Sequence, residues 1–212
     1  MKRMISGRLR LMTIPAVVVM LFWVTEATGQ DASGPPDTGK WTEHFVNGEK
    51  KAEGKYLNGK KDGKWTEWHS NGKKHSEGEY KNGKRDGVWK YWDRNGKKQY
   101  NESYKTGIHH GLWVGWYING KKQFEKKYEE GDPHGQWVEY WPTGDKKYVG
   151  KYEKGKKQGS WKAWHESGKK QYEGEYKNDR QEGLWKFWDF DGKRESDERY
   201  QHGRRVAIIP RK

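Results

Sequence analysis

Three histidines, His109, His110 and His134, would be the natural place to seek a metal centre, because imidazole nitrogens are common metal ligands. His110 and His134 are 24 residues apart and share one column of the repeat described below. Two strand spacings of ~4.8 Å separate them by about 9.6 Å. No carboxylate is expected to join them at chelating distance, so they read as turn-surface histidines. Glu53, Glu77, Glu125, Glu173 and Asp197 form a second column. Two carboxyls about 5–10 Å apart, one perturbed by a pocket, could hydrolyse a glycosidic bond. A column of equivalent acids balanced by lysines is instead a solvated face, and no repeat holds a unique polar constellation. The chain has no cysteine, which excludes disulfides, thiolate metal sites and a thiol nucleophile. The reading is therefore of a non-enzyme, with no catalytic, cofactor or metal site.

The residues suited to binding are aromatic and basic. Trp68, Trp92, Trp116, Trp164 and Trp188, with Tyr140 in the same series, follow another aromatic by three positions. In a regular strand an odd offset points to the opposite face. Either both faces carry aromatics, or a bulge returns the second ring to the first face. Basic pairs recur after each expected turn, among them Lys73-Lys74, Lys97-Lys98 and Lys121-Lys122. They would line one edge of a ribbon, serving solubility and protection against edge pairing, or forming an anion-binding ladder. The opposite basic edge lapses at Ile108-His109 and Asp132-Pro133.

These residues are positioned by a repeat. Trp recurs at 41, 65, 89, 113, 137, 161 and 185, and Tyr at 56, 80, 104, 128, 152, 176 and 200, always 24 apart. A Gly precedes each of those Trp by two, and further Gly columns mark the turns, with Asp179 the one exception in its column. In the unit Gly63 to Asp86, Asn71-Gly72 predicts a two-residue hairpin turn. Pairing outward sets Trp65 opposite Gly78 and Gly63 opposite Tyr80. A four-residue loop at 82–85 would then face Tyr80 with Gly87 and Gly78 with Trp89. Each aromatic would thus cover a strand glycine. The arrangement loosens where Glu102, Lys126 and Glu198 replace that glycine, and central Trp should contribute more stability than terminal ones. Residues 204–209 read as a degenerate closing strand, with Ala207 in the Gly column and Ile209 in the Trp column, stopped by Pro210.

Composition agrees. Only 30% of residues are hydrophobic and 35% are charged, yet 14 Trp, 13 Tyr and 28 Gly argue against disorder and for short strands joined by tight turns. Residues 1–29 differ from the rest. Lys2, Arg3, Arg8 and Arg10 precede an apolar run from Leu11 to Val24 and a small-residue segment, the order of a secretory signal peptide. As a helix that run spans about 21 Å, short of a ~30 Å hydrocarbon core. Cleavage is expected before Gln30, leaving 40 basic and 29 acidic residues, and an uncleaved N-terminal membrane anchor is the alternative. Residues 30–38 form a linker, 39–203 seven repeats, and 204–212 the closing strand and tail.

Segments such as YKNGKRDGVWKYW (80–92) and YKNDRQEGLWKFW (176–188) resemble the variant MORN repeat of bacteria, over residues 39–203. The resemblance implies an all-β, elongated single antiparallel β-meander, here behind the N-terminal signal helix read from residues 1–29. MORN repeats also occur in plant phosphatidylinositol-phosphate kinases, but this chain has no HRD or DFG motif and no kinase glycine-rich loop. Bacterial arrays of this kind are often labelled YwqK-type antitoxins. The functional expectation is an exported, periplasmic or secreted scaffold for protein–protein interaction, with an antitoxin- or immunity-like role. The alternative is a module that binds a cell-envelope glycan or an anionic lipid surface. Nucleic acid is a poor fit, because no reader module is recognisable.

Overall fold

A computed structural model describes residues 34–210; the expected signal segment and the start of the linker lie outside the described residues. The strands run β1 (Gly39–His44), β2 (Lys50–Leu57), β3 (Lys60–Trp68), β4 (Lys74–Lys81), β5 (Lys84–Trp92) and β6 (Lys98–Lys105). They continue as β7 (Ile108–His109), β8 (Gly111–Trp116), β9 (Lys122–Glu129), β10 (Asp132–Tyr140) and β11 (Lys146–Glu153). The last are β12 (Lys156–Trp164), β13 (Lys170–Lys177), β14 (Arg180–Trp188), β15 (Arg194–Gln201) and β16 (Arg204–Ile209). All pair antiparallel in chain order in one open sheet, β7 and β8 sharing a strand position beside β6. No helix covers the sheet among the described residues. The core must be assembled from side chains standing on the sheet itself.

The expected register holds, by a different turn. At the β3–β4 tip the Gly72 N–H donates to the His69 carbonyl (2.9 Å) and the His69 N–H to the Lys73 carbonyl (2.8 Å). Gly72 has φ 78° while Asn71 does not turn positive. This is a three-residue loop with a left-handed glycine, not the two-residue turn expected. Trp68 pairs with Lys74 but Glu67 with Ser76, so His75 is bulged. The extra loop residue and the extra bulge residue cancel, and Trp65 lies opposite Gly78 as the sequence predicts.

The two-residue turn occurs at the other end of the hairpins. Asn82 (φ 51°) and Gly83 (φ 78°) are both left-handed, as a type I′ turn requires. The four-residue loop expected at 82–85 is thereby corrected: Tyr80 pairs with Arg85, not Gly87. Register then steps between Glu79↔Asp86 and Glu77↔Lys90, leaving two extra residues in β5. Gly87, at φ 70°, sits in that bulge and brings Trp89 beside Gly78.

That approach builds the core. A Cβ on Gly78 would lie 2.3 Å from the Trp89 ring, and one on Gly54, Gly150 or Gly174 would strike Trp65, Trp161 or Trp185 equally closely. Those four Trp are at most 2% exposed. Trp113 and Trp137, whose underlying residues are Glu102 and Lys126, remain half-buried. Burial thus follows the underlying glycine and not the position in the array: Trp185 of the last repeat is buried, while central Trp113 and terminal Trp41 are both half-buried. Ring geometry changes with it. The buried Trp meet the tyrosines fifteen residues on at 65–83° where that pair is in contact, as Trp65 with Tyr80, Trp161 with Tyr176 and Trp185 with Tyr200. Trp113–Tyr128 and Trp137–Tyr152 are tilted at 46° and 50°. Indole N–H groups anchor the rings by donating to strand carbonyls, Trp65 to Lys55 (3.1 Å) and Trp89 to Glu79 (3.0 Å).

The closing strand shows the same constraint by default. Glu198 pairs with Ile208 and Asp197 with Ile209, so Ile208, not Ile209, takes the Trp position. Ala207 stands where every full repeat has a left-handed glycine, and without one the bulge loses a residue and the register slips. Gly78→Ala should therefore destabilise by about 1–3 kcal/mol through overpacking against Trp89. Glu102→Gly should raise the midpoint and quench solvent access to Trp113. Urea unfolding followed by Trp fluorescence measures both.

Candidate functional site

Trp68 follows Trp65 with no bulge in its own strand, so the two rings take opposite faces. Trp68 lies among Lys40, Glu53, Lys64 and Thr66, far from the Tyr56–Trp65–Tyr80 stack. The bulge left open in the sequence lies in the partner strand and does not return the ring. One face thus holds the packed Trp/Tyr core. The other presents Trp68, Trp92, Trp116, Trp164 and Trp188, all half-buried, as a row that Tyr140 continues in the fifth repeat.

The lysine pairs divide into two roles. The second of each pair stands over this row: Lys74 Nζ is 5.2 Å from the Trp92 centroid and Lys98 Nζ 5.8 Å from Trp116. Lys74 also bonds Glu77 (2.7 Å) and Lys122 bonds Glu125 (2.6 Å). The first of each pair reaches the next turn. Lys73 donates to the Asn95 carbonyl (3.1 Å), Lys97 to Ile118 (3.0 Å) and Lys121 to Thr143. Asn71 does the same to Arg94 (2.7 Å) and Asn119 to Pro142 (2.8 Å). Sequence reasoning placed all six lysines on one binding edge; half of them instead join successive repeats.

The acidic column is the counterpart of the lysines. Hydrogen bonds from Lys74, Lys122 and Lys170 hold the Glu77, Glu125 and Glu173 carboxyls below the usual carboxylate range, opposite to the shift a general acid needs. Where the row has Tyr140 in place of Trp, its hydroxyl donates to Glu125 (2.7 Å), and burial with that bond pushes its pKa up to about 12. The histidines are structural too. Position 62 and its equivalents accept the first N–H of the next type I′ turn, Asp86 from Thr106 (3.0 Å) and His110 from Glu130 (3.5 Å). His109 meets Trp113 edge-on at 4.1 Å and His134 meets Glu129 at 3.2 Å. Among the described residues no three His, Asp or Glu converge as a metal site would require.

Sequence reasoning placed one further set on the opposite basic edge, alongside Lys60, Lys84, Lys156 and Arg204-Arg205, without seeing what it covers. Lys61, Arg85 and Lys157, each four residues before a core Trp, lie over the packed rings at 4.0, 4.5 and 4.6 Å. Their column was legible at the 24-residue period, but its direction was not.

The MORN repeat variant family model matches residues 61–82, 85–106, 157–178 and 181–202. The chain is a MORN repeat protein. The four matched MORN segments contain Trp65, Trp89, Trp161 and Trp185, the four buried core rings. Trp113 and Trp137 lie between the matched segments. No curated protein is matched in sequence by the chain. MORN repeats commonly form scaffolds that bind proteins or membranes.

The lowered carboxyl pKa values fix a sign. Depressed acids stabilise the fold above their unfolded pKa, near 4.3–4.5, and that contribution is lost as pH falls through the lower folded value. Melting temperature should therefore decline below about pH 4.5. Replacing Glu77, Glu125 and Glu173 by Gln should flatten that decline, read by thermal melts from pH 7 to pH 2.

Proposed function

We propose that this MORN array is an exported, non-enzymatic scaffold that binds another protein through the Trp68–Trp188 row. One observation carries the reading: Trp65, Trp89, Trp161 and Trp185 are fully consumed in packing, whereas no ring of the second row is, and that row recurs along the other face. Trp and Tyr supply large, rigid contact area at protein interfaces. The lysines above the row favour a protein over a long polyanion. Lys74, Lys122 and Lys170 are already paired with Glu77, Glu125 and Glu173, and Lys73, Lys97 and Lys121 are bonded to backbone. The ion-paired lysines offer little net charge to a glycan or lipid surface, and the ammonium groups of Lys73, Lys97 and Lys121, though still charged, are engaged by turn carbonyls. Export follows from the signal-like segment 1–29, and an antitoxin- or immunity-like role fits a scaffold whose target is met outside the membrane.

Capture from envelope extract by the mature chain should yield a protein partner, while an acidic-glycan array stays unbound. Trp92→Ala with Trp116→Ala should weaken that partner by at least about 30-fold, given ~2 kcal/mol for an interface anchor. Circular dichroism should show the sheet intact. Glycan binding that survives both substitutions would overturn the assignment. Exported material should begin at Gln30 by N-terminal sequencing; an intact Met1 would mean a membrane anchor.

A further inference from the structure

The repeats serve as internal controls for one another, and three of them show what stands over a core Trp. Lys61 Nζ lies 4.0 Å from the Trp65 centroid and 5.2 Å from Tyr80. The Arg85 guanidinium lies 4.5 Å from Trp89 and 5.5 Å from Tyr104. Lys157 Nζ lies 4.6 Å from Trp161 and 4.9 Å from Tyr176. Each cation comes from four residues before the Trp and also covers the Tyr fifteen residues after it. The slot above a Trp–Tyr pair is thus a cation site that the chain fills with its own side chains.

At Trp137 and Tyr152 that position is Pro133, which brings no charge. Lys126 approaches Trp137 at 4.9 Å from the place of the underlying glycine, but it is ion-paired to Glu139 at 2.7 Å. Both rings are half-buried, with centroids 4.4 Å apart. In the capped slots the centroids are 6.0 and 5.7 Å apart, so an incoming cation would part this pair by a little over an ångström.

The adjoining type I′ turn changes sign at the same place. Residues 129–132 read Glu-Glu-Gly-Asp, three carboxylates and no base, with Glu129 already in contact with His134. Lys81-Asn82-Gly83-Lys84, Lys105-Thr106-Gly107-Ile108 and Glu153-Lys154-Gly155-Lys156, the equivalent stretches, are all net positive. Asp132 directly precedes Pro133, and exposed charges act over ~8–10 Å, about two strand spacings. Gln181 also leaves Trp185–Tyr200 without a cation, but Trp185 is 1% exposed and its turn, Lys177-Asn178-Asp179-Arg180, is net positive. The half-buried pair with an acidic turn beside it is the one suited to a positive guest.

We propose that the Trp137–Tyr152 pair, with the acidic turn at 129–132, docks a lysine or arginine side chain of a partner protein. The guest occupies the position held elsewhere by Lys61, Arg85 and Lys157. The site lies on the core face, opposite the Trp68 row, and stands whether or not that row binds a partner.

The test uses the mature protein and a blocked Gly-Ser-Arg-Ser-Gly peptide, with the same peptide carrying uncharged citrulline as control. Indole N–H resonances of Trp137 and Trp89 are assigned by single Trp→Phe changes. The arginine peptide should shift the Trp137 indole and leave Trp89 unmoved, and the citrulline peptide should bind at least about tenfold more weakly. Pro133→Lys supplies the missing cap and should abolish the shift, while Pro133→Ala keeps it, separating charge from backbone change. Unaltered resonances of the other indoles certify the fold of each variant. Equal shifts across all indoles, equal binding of the citrulline peptide, or binding that persists in Pro133→Lys would each overturn the proposal.

Discussion

The contact on which the rest depends is a tryptophan ring laid on a glycine backbone. A single-layer sheet has no second layer to bury its apolar face, so each ring must find cover within its own face. A ring lying flat on the neighbouring strand does this only if that strand has no Cβ there, which is why a methyl group at Gly78 would enter the Trp89 ring. The edge-on tyrosines close the sides of the ring, as Tyr56 and Tyr80 do for Trp65. A basic side chain then closes the top. Such face-on cations contribute about 0.5–2 kcal/mol, more as water is excluded. The two-residue bulge at Gly87 follows from the same demand, because it slides Trp89 into line with Gly78.

Cohesion between repeats comes from both edges, and the two ladders run in opposite senses. At the type I′ edge each turn donates its N–H groups back to the preceding repeat, as Gly83 does to the Lys61 carbonyl at 2.8 Å. At the long-turn edge each turn sends side chains forward, as Lys73 and Asn71 do to residues 95 and 94. Every repeat is therefore held by its neighbours alone, which is how a quasi-one-dimensional array gains stability with length. Half of the lysines that looked like a binding edge take part in this, donating to turn carbonyls of the next repeat.

The repeat, the strand order and the Trp65–Gly78 register were legible in the sequence because strict columns at 24 residues can satisfy only one pairing. The turn at 69–73 was not, because a longer loop and a bulge at His75 yield the same register as a two-residue turn. The step at Gly87 was equally hidden. A glycine column announces freedom to turn positive but not how many residues the bulge will hold, and Ala207 reveals the difference only by failing. Of the candidate site, the identity of the rings was readable and their face was not. Parity says that Trp68 and Trp65 diverge only once the position of the bulge is known.

What repeats and what does not repeat then have different meanings. A recurrent feature, such as the core Trp of every unit or the turn-capping lysine at 73, 97, 121 and 169, is accounted for by the cohesion of the array. It supports recognition only where it is left over after packing, as the Trp68 row is. A feature that breaks the repeat weakens the array locally and calls for a separate explanation. The central repeats break it twice: Glu102 and Lys126 replace the glycine beneath the ring, and His109 and Pro133 replace the cation above it. At Trp113 the break is partly healed, because His109 packs on the ring at 4.1 Å and on Tyr128 at 5.7 Å. At Trp137 it is not healed, since a proline can neither cover the pair with charge nor donate to it. The array is consequently least complete at one ring pair, at the same point where its edge becomes acidic.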